Sequence, residues 1–129
     1  MKPPEDTKVY EHLIATLWFD NSGILYSSSK ASPRNKQIMI DYATYIKQIT
    51  NNKKVCILSD ISNARPLEKD ARDYMETELK NIYLAMAIVS TSSLGKMIGN
   101  IFFKINKLSF PTKMFSNEEE ALTWLKQFN

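Results

Sequence analysis

Two short, wholly apolar runs constrain most strongly what this chain can fold into. Val55-Cys56-Ile57-Leu58 follows two lysines and stops at Ser59-Asp60, and Leu84-Ala85-Met86-Ala87-Ile88-Val89 stops at Ser90. Neither approaches the run of about 18 apolar residues that a membrane span needs. Neither has a polar side that could face water. Runs of this kind read as strands covered on both faces, the pattern of central strands in a parallel sheet. Such strands need helices packed above and below them.

The flanking segments supply those helices. Leu13, Ala15, Leu17 and Phe19 alternate with His12, Thr16 and Trp18, the period of a half-buried strand. Asp20-Asn21-Ser22-Gly23 is a turn, and Ile24-Leu25-Tyr26-Ser27-Ser28-Ser29 returns as a second strand of an antiparallel hairpin. Pro33 is expected to open a helix capped by Ser32, with Ile38, Tyr42, Tyr45, Ile46 and Ile49 on its inner stripe. Asn51-Asn52 ends it. Pro66 is expected to open the next, with Leu67, Ala71, Tyr74, Met75 and Ile82 facing inward. A third helix is expected from Lys96, burying Met97, Ile98, Ile101, Phe102 and Ile105. A short strand at Thr112-Lys113-Met114-Phe115-Ser116 precedes a fourth helix, capped at Ser116 or Asn117 with Glu119 or Glu120 completing a capping box. Its inner face is Ala121, Leu122, Trp124, Leu125 and Phe128.

The order is β-β-α-β-α-β-α-β-α. It predicts an α/β domain with a mixed, mostly parallel sheet of about five strands, an initial antiparallel hairpin, and helices on both faces. At 129 residues there is room for one core. Residues 1–8, polar and proline-containing, are expected to form a loose arm, and residues 9–129 the single domain. The one cysteine permits no intrachain disulfide, and MKPPEDTKVYEH lacks the apolar centre of a signal peptide, so a reducing, cytoplasmic setting is expected. A net charge of +3, with its basic residues spread along the chain, does not suit a nucleic-acid binder. Arginine, the better residue for bidentate anion contacts, occurs only as Arg34, Arg65 and Arg72.

Little in the sequence can do chemistry. His12 is the only histidine, which leaves a Ser-His-Asp triad or a histidine metal site without material. Cys56 lies inside an apolar strand, where a thiol is more often core filler than nucleophile. Gly23, Gly95 and Gly99 are the only glycines and make no phosphate loop. Glu78 falls near the middle of the second helix's apolar stripe: a buried functional carboxylate, or a sign that the helix has frayed or turned by that point. No metal or cofactor is expected, and no enzymatic activity. An unrecognised enzyme using Asp60 and Ser62 is the third alternative, with no base in the sequence to activate the serine.

That element order, with Ile57-Leu58-Ser59-Asp60-Ile61-Ser62 ending the third strand, resembles the STAS group, the SpoIIAA-like anti-sigma-factor antagonists. It resembles more closely the uncharacterised bacterial proteins labelled STAS/SEC14-like. In those, the third strand ends in an Asp-x-x-x motif and the next helix opens with a mixed-charge stretch before Ala-Arg. Here these are Asp60-Ile61-Ser62-Asn63-Ala64 and Lys69-Asp70-Ala71-Arg72-Asp73-Tyr74. A Gly-Asn-x-Phe helix leading through Asn-Lys and Phe-Pro to an acidic-capped last helix is the second similarity, carried by Gly99-Asn100-Ile101-Phe102, Asn106-Lys107 and Phe110-Pro111. The resemblance covers roughly residues 10–128 and rests on pattern. In the antagonists an Asp-Ser pair at the helix start carries the phosphorylated serine. Glu68-Lys69 stands there in this chain, so the phospho-switch is not implied.

The resemblance implies a non-enzymatic regulatory or protein-interaction module, docking a partner protein or a second copy as a homodimer. Its SEC14-like side implies the alternative of a carrier for a small apolar or lipid-like ligand. The candidate surface is Asp60, Ser62, Asn63, Arg65 and Arg72 at the end of the third strand and the helix after it, with Ser92, Ser93 and Lys96 delivered by the neighbouring strand. Ligands of open α/β sheets gather at such carboxyl ends, although the same residue types also serve simply as caps and turns. Phe103, opposite the third helix's apolar stripe, is either an exposed anchor or packed under the 108–110 loop.

Overall fold

The computed structural model describes residues 1–105 and 108–129, and the side chains of all of these but 103–105. Six strands and four helices follow one another as β1 (Tyr10–Glu11), β2 (Ala15–Phe19), β3 (Leu25–Ser29), α1 (Lys36–Ile49), β4 (Val55–Asp60), α2 (Lys69–Glu78), β5 (Tyr83–Val89), α3 (Ser93–Ile105), β6 (Thr112–Phe115) and α4 (Glu118–Leu125). A 3-10 turn over Leu79–Asn81 prolongs α2. The expected five strands are all present. The sixth, β1, pairs Tyr10 with Leu17 and Glu11 with Thr16 and was too short to show a period.

Strand order in the sheet is the order in sequence, β1-β2-β3-β4-β5-β6. The first three strands are antiparallel, and β3 to β6 are parallel. This order decides where the helices go. Three successive crossovers that step in one direction with one hand must place their helices on one face. Side chains of α1, α2 and α3 accordingly share a cluster with Leu25, Ile57, Met86 and Ile88. Among the described helices α4 alone packs on the other face, against Trp18, Ile24, Cys56, Leu58, Ala85 and Ala87, with Met1 packed against the same cluster. The small Ala85 and Ala87 let α4 lie close to the sheet. Alternation along β4 sends Ile57 to the three-helix face and Leu58 to the α4 face, as a strand covered on both sides requires.

Several local expectations are corrected. Both helices expected to open at prolines start later, at Lys36 and Lys69. One cause explains both delays. Arg34 and Leu67 pair as an isolated parallel bridge, with the Glu68 N–H donating to the Arg34 carbonyl at 3.2 Å, so neither can be helical. Asn35 therefore replaces Ser32 as the α1 cap, its Oδ1 accepting from the Ile38 N–H at 2.9 Å. Trp18 is fully buried and stacked on Tyr26 at 5.6 Å, so β2 is covered on both faces there, and Leu13 lies outside the strand and exposed. Glu78 is the last residue of α2, where the α-helix gives way to the 3-10 turn as one of the two expectations had it, and it forms an ion pair with Lys47 that links α2 to α1.

The third helix departs most. It begins at Ser93, not Lys96, and it meets the sheet through Gly95 and Gly99. A Cβ on Gly95 would strike Ser90 Oγ and lie 2.8 Å from the Ile61 carbonyl oxygen. Glycine allows that approach, and it turns the apolar stripe sideways. Ile98 and Phe102 are half-buried as a result, while Leu94, Met97 and Ile101 are 55%, 52% and 46% exposed.

Candidate functional site: an arginine-lined cavity beside the strand ends

The carboxyl ends of β4 and β5 lie side by side, Asp60 opposite Val89, as the adjacency of consecutive strands led one to expect. Their loops are tied into one network. The Ser62 hydroxyl donates to Asp60 Oδ1 at 2.5 Å and accepts from the Thr91 N–H at 2.9 Å and the Thr91 hydroxyl at 3.1 Å. The Ser62 N–H also donates to Asp60 Oδ1, at 2.9 Å. Ser92 Oγ donates to the Ser62 carbonyl at 2.8 Å and accepts from the Gly95 N–H at 2.9 Å, which caps α3. The Met1 ammonium stands 3.5 Å from Asp60 Oδ2. Asp60, Ser62 and Ser92 thus spend their polar atoms on each other, on loop backbone, on the Thr91 hydroxyl and on the Met1 ammonium. Asn63, Ser93 and Lys96 are exposed beside them. The Phe103 side chain lies outside the described residues.

Arg65 and Arg72 belong to a different feature. Between the three-helix layer and the sheet lies a cavity of about 180 Å³. Its floor is Ile57, Met86 and Ile88, and its helical walls include Met39 of α1, Met75 of α2 and Ile98 of α3. Four of the chain's six methionines (Met39, Met75, Met86 and Met97) line it. Methionine is flexible and polarisable, so such walls adapt to the shape of what they enclose. The polar atoms in the lining are few. The Ser27 and Tyr42 hydroxyls bond each other at 3.0 Å, which leaves them satisfied. Burial pushes the Tyr42 and Tyr83 phenols above their usual range, so both stay neutral.

The cavity also receives all three arginines of the chain, Arg34, Arg65 and Arg72, from the loop before α1, the loop before α2, and α2 itself. Arg72 Nη1 donates to the Leu67 carbonyl at 3.0 Å and Arg34 Nη2 to the Ile14 carbonyl at 3.4 Å. The Nε atoms of both are buried and have no hydrogen-bond partner among the described residues. Burial pushes the Arg34 guanidinium below its ordinary range, with Tyr42 pulling the other way. Arg65 is exposed at the margin. Sequence reasoning singled out Arg65 and Arg72 but missed Arg34. The signal available was the scarcity of arginine itself; what placed Arg34 here is the bridge to Leu67, a tertiary contact.

The remaining chemistry-bearing residues sit elsewhere. His12 packs against Tyr42 and Tyr45 at 5.1 and 5.5 Å between ring centres, and its Nδ1 accepts from the Ile14 N–H at 3.3 Å. Cys56 is buried under α4, and burial pushes its thiol up. Among the described residues no cluster of His, Cys, Asp and Glu could hold a metal ion. No described helix is long and apolar enough to cross a membrane.

A hairpin followed by parallel strands, with three helices on one face and one on the other, is a SpoIIAA-like α/β domain. The fold is similar, with a TM-score of 0.58 over 97% of this chain and 99% of the other, to the crystal structure of an uncharacterised protein of the DUF3478 family from Shewanella loihica PV-4, described as having a SpoIIAA-like fold. Identity between the two is 14%, so the likeness is one of fold. Residues 17–129 match the family described as a domain of unknown function, DUF7793, and the chain belongs to that family. No curated protein matches it.

Proposed function

We propose that this domain is a non-enzymatic binding module, a carrier or sensor that takes a small apolar molecule into the cavity between α1, α2, α3 and the sheet. The observation that carries this reading is the cavity itself: apolar, methionine-rich and about 180 Å³ in volume. A buried apolar cavity of roughly 150 Å³ takes up benzene, so the space suits a ring-sized or short-chain body. Of the functions expected from sequence, the ligand carrier therefore has more support than the docking module. Catalysis has less. The Ser62 hydroxyl at the strand ends donates to Asp60, while the sole histidine packs on Tyr42 and Tyr45 and supplies no base there. The single Cys56, a free thiol in the core, accords with a cytoplasmic role.

Native mass spectrometry of protein purified from its own cells tests the reading. A retained small mass, released on denaturation, is expected. A thermal-shift series with benzene, indole and octanol tests it in vitro, because a ligand that binds only the folded state raises the melting temperature. No shift with any of them would sink the proposal.

A second reading has one observation in its favour. Leu94, Met97 and Ile101 expose apolar surface in a row along α3, the kind of patch that docks a partner protein or a second copy. Met97 and Ile101 also line the cavity. Sedimentation analysis of the wild type against Met97→Ser reads self-association through this row directly.

A further inference from the structure

We infer that the ligand is anionic: a small organic carboxylate whose apolar body fills the cavity and whose head is held by Arg34 and Arg72. This rests on the ligand-binding reading above and specifies its chemistry. Lysine outnumbers arginine more than fourfold in this chain, yet all three arginines line one cavity. The four ion pairs among the described residues use lysines or the terminal ammonium, and none involves an arginine. Cations drawn into an apolar cavity without a carboxylate are costly to desolvate. An anion arriving with the ligand supplies what the protein withholds.

The geometry of the two inner arginines fits that task. Each spends a terminal nitrogen on a backbone carbonyl, Arg34 on Ile14 at 3.4 Å and Arg72 on Leu67 at 3.0 Å. Each keeps a buried Nε–H with no partner among the described residues. Nε–H and a neighbouring Nη–H form the side-on fork that meets both oxygens of a carboxylate. The Arg34–Leu67 bridge joins the loop carrying one arginine to the carbonyl that anchors the other. That loop and that carbonyl are therefore joined before any ligand enters. That is preorganisation, and it reduces the cost of binding. Arg65, exposed at the margin, adds charge that attracts anions at a distance.

The test compares octanoate with octanol, equal in apolar body and different in head, by calorimetric titration of the full chain. Octanoate is expected to bind at least about tenfold tighter, the effect of one charge-assisted hydrogen bond. With only three arginines, the side-chain Nε–H region of a ¹⁵N-correlated spectrum has at most three signals to assign. Octanoate should shift those of Arg34 and Arg72, and octanol should leave them in place. In Arg72→Lys, which keeps the charge and loses the fork, most of the preference for octanoate should disappear while octanol binding persists; Arg34→Met is the second variant if that one misfolds. Equal affinity for acid and alcohol would overturn the inference and leave the cavity reading standing. Binding of neither removes both. Inorganic phosphate that competes with octanoate at equal concentration would also overturn it, because the apolar body would then contribute nothing.

Discussion

Gly99 of α3 and Met114 of β6 lie so close that a Cβ on the glycine would stand 2.9 Å from the methionine's Sδ and Cε. One turn earlier, a Cβ on Gly95 would meet Ser90 Oγ and the Ile61 carbonyl. Two alanine substitutions on one helix should therefore behave differently. Replacing a helical glycine gains about 1 kcal/mol of propensity. The far end of Met114 can rotate away, so Gly99→Ala is expected to be neutral or slightly stabilising. The Ile61 carbonyl is backbone and cannot yield, so Gly95→Ala should cost about 1–3 kcal/mol. Urea denaturation of the two variants checks the order, and a destabilisation of Gly99→Ala that matched Gly95→Ala would show that Met114 is fixed.

The same glycines show where sequence reasoning reaches and where it stops. Residues 55–58 and 85–89 were legible as two-faced strands because no polar side chain interrupts them, while Leu84, counted in the second run, is exposed. Asp20 was legible as a turn residue, and its Oδ1 accepts from the Ser22 and Ile24 N–H groups; Asn117 was legible as a cap. The rotation of α3 was not. A hydrophobic stripe assigns the core side to Met97 and Ile101, whereas a glycine has no hydrophobic weight and still decides which side approaches the sheet. The candidate site was half legible for a related reason. Arg72 and Arg65 stood near the resemblance to known families, but Arg34 reaches the cavity through its bridge to Leu67, 33 positions on by the numbering.

Cys56 should be silent in the native state. Its Sγ lies in the core under α4, 3.9 Å from the Leu125 carbonyl, and burial disfavours the thiolate that reacts. Labelling by a disulfide reagent is expected only through opening of the domain, with a free energy equal to that of global unfolding. Rapid labelling under native conditions would mean that α4 detaches on its own.

His12 sets a pH dependence of known sign. Burial lowers its folded pKa below the ordinary 6.5, with Asp41 opposing and Lys30 reinforcing the shift. The unfolded chain therefore takes up a proton first as pH falls. Stability is fully present above about 6.5 and declines below it, levelling off once the folded histidine is also protonated. Protonation also removes the Nδ1 acceptor that the Ile14 N–H uses. Urea midpoints measured from neutral to mildly acid pH should show the decline in the wild type and a flatter profile in His12→Gln. An unchanged slope in the variant would place the acid sensitivity elsewhere.

Arg34 carries the clearest conflict between folding and binding. Its guanidinium is largely withdrawn from water, its Nε–H has no hydrogen-bond partner among the described residues, and its terminal nitrogen makes only a long bond of 3.4 Å to the Ile14 carbonyl. A desolvated charge without a counter-ion is a net cost to the ligand-free fold, since replacing buried ionic groups by apolar ones of similar volume is often neutral or stabilising. Methionine matches the length of the stem and removes the charge. Arg34→Met is thus expected to melt higher than the wild type in the absence of ligand, by an amount corresponding to about 1 kcal/mol. It is also expected to lose most of the stabilisation that octanoate gives the wild type, because that stabilisation comes from pairing this charge. Paired melting curves with and without octanoate measure both effects on one variant. A variant that melts lower without ligand would mean that Arg34 holds the fold together, and its burial would then need no ligand to explain it.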